Sequence, residues 1–568
     1  MQGRAPTTGS GVGIRLARNR AVLPALLLLG LGAGSAQAQI PDAGQALQQM
    51  QRPLPAPALA PPSFLPKPQP ADSPDPVESG GPRVTLKSLQ IRGNTRFDAG
   101  TLERAAGFQE GLSLDFGGLE RVARSIASFY HQQGYPFASA ALPAQDLKDG
   151  VLQVEVIEGR YGKIESSGDF PADEGAPFLS ALKAGEVIRS DVLERTVLII
   201  DDLPMISVSP RVRPGAAYGT GDLNIEITQD ALWGGEVGVD TLGNRFTGQY
   251  RTRASLSGFS KFLFGDAIRL TTLVTNENLK LGSIEYEAPL NGDGLRAHAS
   301  IARTTYQLAE EYTYLGASGI ADVFSVRSSY PLVRSQRQNL SVSVGYTTKY
   351  LRDRYDFVGS NNRKRSYSIP VAVYFDSRDG ALGGGLTYGN IAVTAMGRLD
   401  LDDGLLASDA ITARSAGKFS KVNIELARIQ TLQGHLSLFG RVLFQATDNN
   451  LDSSEKFNLG GIYGVRAYPV GEGLGDRGWL GQVELRYKFE NITGFVFTDG
   501  GESRVNAHPW DAVLTNAVRA RGNGLGVRHH QEPGWNWETV LSWRSTDAPV
   551  TDRQGRNPRF WGFLTYKF

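Results

Sequence analysis

The positions of hydrophobic residues follow two different patterns along the chain, and the change lies near residue 230. Beyond residue 231, apolar and polar residues alternate, which is typical of β-strands with one apolar and one polar face. In one such segment, one face carries Val483, Leu485, Tyr487 and Phe489, and the other carries Gln482, Glu484, Arg486 and Lys488. Four further segments alternate similarly, between turns rich in glycine, aspartate or asparagine: 296–306, 338–348, 435–444 and 535–545. The sequence therefore predicts an all-β domain over residues 231–568.

The number and composition of these strands favour a transmembrane β-barrel of about 16 antiparallel strands. At about 20 residues for a strand and its connector, residues 231–568 provide around sixteen strands. A soluble β-sandwich, a lectin-like fold or a propeller would also contain many strands. However, charged residues recur on one face and aromatic residues on the other, and the last strand runs to the terminal Phe568. Both features are typical of barrels with aromatic girdles at the membrane interfaces.

Two short α+β units precede the predicted barrel. The first unit, residues 83–159, has the periodicities of a strand, two helices and two strands in that order, and residues 160–230 repeat the order. In the second unit the helices are predicted over residues 176–185 and 189–203. Tandem repetition of one unit indicates a modular array. Small sheets of this kind have free edges, on which an extended chain can add as a further strand.

The N-terminus has the layout of a secretory signal peptide. Arg15, Arg18 and Arg20 precede the apolar run 21–31, and small residues follow up to Ala38. This pattern predicts a signal peptide over residues 1–38 with cleavage after Ala38. An uncleaved anchor helix is the alternative, but the apolar run is short for a membrane-spanning helix. The mature chain is therefore expected to cross an inner membrane and to begin near residue 39.

A short helix and a long linker follow the predicted cleavage site. Asp42 is a plausible N-cap, and helical spacing continues until Pro53, so a helix is predicted over residues 39–52. The pattern fits either a frayed leader or a docked functional helix. Residues 53–82 are rich in proline and predict an extended linker that cannot pack a core of its own.

Composition excludes several classes of function. The net charge of +1 gives no indication of nucleic acid as a partner, and the absence of cysteine removes thiolate nucleophiles and cysteine-based zinc sites. Hydrophobic residues total only 41%, and no internal run approaches the ~20 apolar residues of a membrane-spanning helix. His529 and His530 alternate faces on a strand and lack a third ligand. With no catalytic sequence motif, we expect neither an enzyme nor a bound metal or cofactor.

Two short motifs carry the candidate site. A glycine-rich loop over residues 460–478 contains Val465, Arg466, Ala467 and Tyr468. A later strand places Phe497, Asp499 and Gly501 at a spacing of two, so these three residues share one face. Because a charged side chain on the lipid face is costly, by about 2–4 kcal/mol for Arg or Lys at the midplane and less for Asp, that face is expected to line the lumen.

The two motifs allow two arrangements. If the loop folds into the barrel, Asp499 can hold the Arg466 guanidinium while Tyr468 and Phe497 pack around the pair. Otherwise the loop is extracellular, Arg466 is solvated and the two charges never meet. Charge and spacing alone leave both arrangements open.

The motifs resemble those of a known family. "GGIYGVRAYP" closely resembles the VRGY-type loop motif, and "FTDGG" the F-x-D-x-G strand motif, of the outer-membrane transporters of two-partner secretion. This is the haemolysin-activator and filamentous-haemagglutinin-transporter family. The resemblance implies a sixteen-stranded barrel over 231–568, POTRA domains over 83–159 and 160–230, and an N-terminal plug helix over 39–52. It also implies that the loop tip inserts into the barrel as part of a gate and that Arg466 pairs with Asp499.

The resemblance carries a functional expectation. The POTRA domains would receive an unfolded partner protein in the periplasm of a Gram-negative cell, and the barrel would export it across the outer membrane. The expected partner is an adhesin- or haemolysin-like exoprotein. The alternatives are an insertase of the same superfamily and, with less support, a general porin. Ala467 stands where the family usually has glycine, which would disfavour a loop tip that needs positive φ at this position.

Overall fold

The computed structural model describes residues 40–49, 54–57, 82–511, 516–546 and 556–568. The predicted signal peptide (1–38) and most of the predicted linker (53–82) lie outside the described residues. The described α-helices are α1 (Ala43–Gln48), α2 (Ala99–Ala105), α3 (Phe116–Gln132), α4 (Ala172–Gly175), α5 (Ser190–Asp201) and α6 (Asp403–Ile411). None of these helices has the length and hydrophobicity needed to cross a membrane.

Residues 83–159 form the first α+β unit, called repeat 1. Its strands are β1 (Val84–Thr85), β2 (Ser88–Arg92), β3 (Ser113–Leu114), β4 (Ser139–Ala141) and β5 (Val151–Ile157). β2 pairs parallel with β5 and β4 pairs antiparallel with it, which gives the sheet order β2-β5-β4. Helix α3 starts where the Asp115 carboxylate accepts a hydrogen bond from the Gly118 N–H. Its apolar face buries Ile126 and Tyr130 against Leu152 of the sheet.

Residues 160–230 form repeat 2, which has the same topology. Its strands are β6 (Arg160–Gly168), β7 (Ile206–Pro214) and β8 (Thr220–Gln229), in the sheet order β6-β8-β7. The helix predicted over residues 176–185 is wrong in extent, because only a 3-10 turn over Ala176–Leu179 forms after α4. The helical backbone ends after Leu179, and the chain then turns through Gly185 at φ +82°, a conformation that favours glycine.

A buried carboxylate binds several groups of repeat 1 at the point where the chain passes into repeat 2. Glu158, which is 4% exposed, accepts hydrogen bonds from the backbone N–H groups of Thr95 and Arg96 at 2.6 and 2.8 Å and from the Tyr130 hydroxyl at 3.0 Å. Arg160, the first residue of repeat 2, lies 3.1 Å away. Burial opposes ionisation of Glu158, but the hydrogen bonds from Thr95 and Arg96 outweigh it and lower the pKa of the carboxyl.

Repeat 2 is attached to the barrel by ionic and backbone contacts. Arg334 donates two hydrogen bonds of 2.7 Å to the Asp202 carboxylate, a bidentate geometry that fixes orientation. Arg195 donates to the Pro331 carbonyl at 2.8 Å. Because Pro331 and Arg334 lie at one end of a barrel strand, we call that end of the barrel the repeat end and the opposite one the far end.

Sixteen antiparallel strands close into a barrel, as the sequence predicts. Each strand pairs with the next, and the last pairs with the first. The strands are β9 (Trp233–Asp240), β10 (Arg251–Phe259), β11 (Ala267–Thr275), β12 (Lys280–Pro289), β13 (Arg296–Gln307), β14 (Ala317–Arg334), β15 (Gln338–Tyr355), β16 (Ser360–Asp379), β17 (Gly385–Leu401), β18 (Gly417–Gln433), β19 (Leu436–Ala446), β20 (Arg477–Phe489), β21 (Ile492–Arg504), β22 (Ala517–His529), β23 (Gly534–Arg544) and β24 (Arg559–Lys567).

The barrel wall is uneven in height. β16 has 20 residues, whereas β9 has 8 and β24 has 9. The seam between β24 and β9 contains five paired positions, 563–567 with 236–240, and is extended by two backbone hydrogen bonds between Phe568 and Gly235. Val483, Leu485 and Tyr487 face outward and are exposed, which confirms the predicted alternation on β20.

Candidate functional site

The loop between β19 and β20, residues 447–476, folds into the lumen from the far end. Backbone hydrogen bonds close this loop into a hairpin. The Gly460 N–H donates to the Glu472 carbonyl at 3.0 Å, and the Gly461 N–H donates to the Tyr468 carbonyl at 3.0 Å. Gly461 has φ +102°, so a residue with a side chain would be strained there. The loop tip, which comprises residues 465–468, is therefore presented inside the barrel in a folded form.

Arg466 meets Asp499 on the barrel wall. The Arg466 Nε and Nη2 atoms donate to the two Asp499 oxygens at 2.8 and 2.7 Å, and the Arg466 backbone N–H donates at 3.1 Å. Arg466 and Asp499 are each 3% exposed. The arrangement is the inward-folded one of the two that the sequence allows. A fork of parallel hydrogen bonds between buried charges holds the loop tip in one orientation.

Arg466 has further partners that fix its guanidinium and its backbone. Its Cζ lies 3.5 Å from the centroid of the Phe497 ring, which places the cation over the ring face. The Arg466 carbonyl accepts hydrogen bonds from Trp561 Nε1 at 2.7 Å and Ser542 Oγ at 2.8 Å. The Tyr468 hydroxyl is 2.7 Å from Thr546 Oγ1. The loop tip thus joins β21, β23 and β24, on one side of the barrel seam.

Small residues allow this close approach. Ala467 is not in the left-handed region, so an alanine is not strained at this position. A Cβ on Gly522 of β22 would lie 2.6 Å from the Ala467 Cβ, so the glycine in the wall leaves room for the alanine methyl. A Cβ on Gly501 would lie 2.8 Å from Leu459 of the loop. The seven residues singled out from the sequence are therefore brought into one buried region, with Val465 packed beside Leu459.

Sequence reasoning missed the second carboxylate of the site. Glu484 accepts a hydrogen bond from Arg466 Nη1 at 2.5 Å and lies 2.7 and 3.1 Å from Arg486 and Arg528. Glu538 lies 3.5 Å from Arg528. The alternation on β20 already placed Glu484 on the polar, lumenal face, but nothing local indicated that Arg466 would reach it. With Asp499, the cluster contains three arginines and three carboxylates, so its formal charges balance.

Helix α1 lies inside the barrel near the far end and is capped as predicted. The Asp42 carboxylate accepts a hydrogen bond from the Gln45 N–H at 3.0 Å. The same carboxylate accepts from Ser453 Oγ at 2.7 Å and lies 3.0 Å from Lys364 Nζ on β16. The Ala43 N–H donates to Asp353 on β15 at 2.9 Å. The N-terminal end of the helix is thus bound to both the wall and the inserted loop.

The remaining contacts of α1 are shape-dependent. A Cβ on Gly44 would lie 2.2 Å from Ser453 Oγ, so only glycine allows this helix to lie directly on the loop. Gln48 donates to the carbonyls of Ser453 and Lys456 at 3.0 and 2.5 Å. Ala43 and Ala46 are almost fully buried in a cluster of lumenal apolar side chains that includes Phe246, Leu279, Tyr306, Leu351 and Tyr355.

A segment beyond the helix also contacts the lumenal wall. Leu54 packs against Tyr388 and Phe439, and its N–H lies 3.4 Å from the Glu425 carboxylate. Lys364 also contacts Asp452 of the loop at 2.8 Å. Sequence reasoning missed these lumenal partners of the N-terminal segment, since they are hundreds of residues away in the chain.

Among the described residues, no group of His, Asp or Glu side chains has the arrangement of a metal site.

Comparison with known proteins agrees with this architecture. Residues 219–528 match the family described as haemolysin secretion/activation protein ShlB/FhaC/HecB, and residues 84–159 match the POTRA domain of ShlB type. The heme/hemopexin transporter protein HuxB of Haemophilus influenzae is 26% identical over 470 residues, which cover 79% of this chain and 81% of HuxB. The outer membrane transporter CdiB of Dickeya dadantii is 24% identical over 452 residues, covering 74% of this chain and 76% of CdiB.

A solved structure supports the fold. CdiB from Escherichia coli superposes with a TM-score of 0.71 at 17% identity, over 94% of this chain and 100% of that one. The family match covers more than half of the chain and spans most of the barrel, including the Arg466 loop and Asp499. The chain therefore belongs to the haemolysin secretion/activation family ShlB/FhaC/HecB, and it is an outer-membrane two-partner secretion transporter whose POTRA region lies in the periplasm.

Proposed function

We propose that this chain exports an unfolded, adhesin- or haemolysin-like partner polypeptide through its barrel lumen, and that helix α1 and the Arg466 loop close the lumen at rest. The observation that carries the proposal is the position of α1. It is buried inside the barrel and bound both to the wall, through Asp353 and Lys364, and to the loop, through Ser453. A frayed N-terminal leader without a role in the pore would not be expected to bind both the barrel wall and the loop.

The length of α1 suggests how the pore opens. A helix of six residues is not stable alone in water, because its nucleation is unfavourable and few hydrogen bonds follow. Its helical form therefore depends on the lumen, and leaving the lumen is coupled to unfolding. Capture of the partner by periplasmic sheet edges in repeats 1 and 2 would favour this open state by binding it more tightly than the closed one.

The Arg466 loop is assigned the role of an internal support for the gate. Its tip residues Val465, Arg466, Ala467 and Tyr468 would be held by the wall residues Phe497, Asp499 and Gly501, and its other segment carries the Ser453 contact to α1. Loss of the contact between Arg466 and Asp499 would therefore loosen both the loop tip and the contact of the loop with α1. Within this scheme 160–230 acts as the second POTRA domain and 231–568 as the barrel.

Direction of transport is proposed to come from the partner itself. Folding of the exported chain outside the cell would prevent its return, so that neither a nucleotide nor catalytic chemistry is required. Relatives are named for heme/hemopexin transport and for hemolysin transport, so the partner of this chain is proposed only by class. A partner variant that cannot fold yet leaves the cell at full rate would contradict this source of direction.

The first experiment is co-expression with a large secreted protein encoded beside this gene. The medium is assayed for that protein with the wild-type transporter, without it, and with an R466D variant. Export that depends on the transporter and falls with R466D, while other outer-membrane proteins are unchanged, supports the proposal. Failure of export together with loss of other barrels after deletion of the gene would favour an insertase instead.

A further inference from the structure

The far end of the barrel is the extracellular end, because the POTRA region at the repeat end lies in the periplasm. Near this end, three pairs of basic residues lie directly opposite each other on neighbouring strands. The pairs are Arg352 with Arg363, Arg398 with Lys418, and Arg477 with Arg504. Like charges at directly opposed positions destabilise a sheet. Three such pairs are therefore expected to need negatively charged groups nearby that offset the repulsion between the basic side chains.

These side chains face away from the lumen. Arg477 shares its face of β20 with Trp479 and Val483, which are 50% and 45% exposed. Arg398 likewise shares its face of β17 with Met396, and Arg352 shares its face of β15 with Tyr350. Since large apolar side chains on these faces contact lipid, the basic pairs lie at the outer-leaflet end of the lipid-facing surface.

The protein itself neutralises these pairs only in part. Asp448 lies 2.9 Å from Arg477, but its side chain is 96% exposed. Asp400 lies 2.7 Å from Arg398. Among the residues that the structure describes, the other four cations, Arg352, Arg363, Lys418 and Arg504, have no ion pair.

Other outward-facing cations do have acidic partners on nearby strands. Arg519 is 2.9 Å from Glu502 on the adjacent strand, and Arg303 is 2.5 Å from Asp322. At the periplasmic end, Arg428 shares a face with the exposed Leu426 and is 2.8 Å from Asp379. The three like-charge pairs are thus exceptions among the outward-facing cations named here.

An open groove lies directly below the Arg477 and Arg504 pair. Its volume is about 900 Å³, and its apolar lining includes Val393, Phe444 and Trp479. The two arginines lie at its upper edge, because each is at the extracellular end of its strand. The lining also includes Asp448 and Glu502, which pair with Arg477 and Arg519. The site therefore combines a cationic edge with a groove that is lined in part by apolar side chains, which matches the two ends of an amphipathic anion.

We propose that the cationic edge formed by Arg477 and Arg504 binds a lipid of the outer leaflet whose head group carries several phosphates, with the acyl chains of this lipid in the groove. Arginine is suited to this head group because its planar fork can bind phosphate oxygens in pairs. A phosphate between opposed arginines would convert a repulsive contact into two attractive ones. The acyl chain would cover Trp479 and Phe444, which are about half exposed.

Lipid binding to the full chain in a non-ionic detergent tests the proposal. The probes are bisphosphorylated lipid A, the same lipid without its phosphates, and inorganic phosphate, each followed by native mass spectrometry. We expect only the bisphosphorylated lipid to bind, and R477Q/R504Q to weaken it about tenfold. R428Q is the matched control at the periplasmic end and should leave binding unchanged. Equal binding of the dephosphorylated lipid, or an unaltered affinity of R477Q/R504Q, would overturn the proposal.

A second variant separates lipid binding from a folding defect. R504E creates an ion pair with Arg477, so it should raise the thermal midpoint of the lipid-free protein while weakening lipid A binding. A defect in folding would lower both quantities together. An R504E protein that binds bisphosphorylated lipid A as tightly as the wild type would count against the site.

Discussion

Reversing the charges of Arg466 and Asp499 together should restore little function, because a third charged group shares their site. R466D and D499R should each impair export, since breaking a buried ion pair costs about 3–5 kcal/mol. A simple pair would recover when both changes are combined. Here the new carboxylate at position 466 would face Glu484, which lies 2.5 Å from the present guanidinium.

The size of this penalty follows from Coulomb's law. Two carboxylates about 5 Å apart at an effective dielectric of about 20 repel each other by about 3 kcal/mol, which cancels most of the expected recovery. Replacing Glu484 by glutamine removes that repulsion. The new carboxylate of R466D can then take over the contact with Arg528. Because E484Q alone also removes the Arg486 contact, E484Q is the reference for the triple variant. Compared with E484Q, R466D/D499R/E484Q should recover more than R466D/D499R does compared with the wild type.

The chain contains no cysteine, so one introduced thiol reports on the loop. V465C is suitable because Val465 is fully buried and labelling requires the loop to open. A loss of about 3 kcal/mol in loop stability should raise the labelling rate of R466D/D499R about a hundredfold above the parent. The triple variant should return towards the parent rate, with export measured in parallel. If R466D/D499R recovers as fully as the triple variant, Glu484 does not share the site and the reasoning fails.

Three further predictions concern other parts of the molecule. G44A should push α1 away from Ser453 and raise the resting conductance of the purified pore in planar bilayers; an unchanged conductance would count against the plug. R334Q should weaken the attachment of repeat 2 to the barrel. It should raise hydrogen exchange in the turn over residues 290–295, which Arg195 of repeat 2 contacts at the Asp293 carbonyl, whereas exchange in repeat 1 should not change. E158Q should destabilise repeat 1 by about 1.5–3 kcal/mol at pH 7, as judged by hydrogen exchange over residues 84–159. Because the pKa of Glu158 is lowered in the folded state, its stabilisation is present at neutral pH and lost as pH falls through that pKa. The difference between E158Q and the wild type should therefore shrink in acid, and a constant difference would refute the role of the ionised form.

Much of the fold could be predicted because it depends on local periodicity. Alternation with period two fixes which residues of β20 face lipid, and the length of residues 231–568, at about 20 residues for a strand and its connector, predicts around sixteen strands, the number that the barrel has. The capping role of Asp42 is also local, since the carboxylate binds a backbone N–H three residues away. The predicted helix over 176–185 failed because helical spacing there covers fewer than about three turns, and the helical backbone ends after Leu179.

The partners of the site could be predicted only in part. Family resemblance pointed to Arg466 and Asp499, while Glu484 was recognised only as a residue of the polar face. Lys364 and Asp353 were missed altogether as partners of α1. Lumenal charges are numerous on every strand, and their positions along the sequence do not determine which of them meet. That depends on how far the loop over 447–476 and the N-terminal segment reach into the barrel.

The short seam has a consequence for the surrounding bilayer. With 8 residues, a rise of about 3.3 Å per residue and a tilt of about 40°, β9 spans about 20 Å along the membrane normal. The apolar band of an outer-membrane barrel is about 25 Å tall. Exposed apolar side chains occur near both ends of β9, at Trp233 and Val239, so the strand has little further apolar surface to offer. The lipids beside the seam must therefore compress or tilt, and the barrel is surrounded by a membrane that is thinner on this side than along the tall strands opposite.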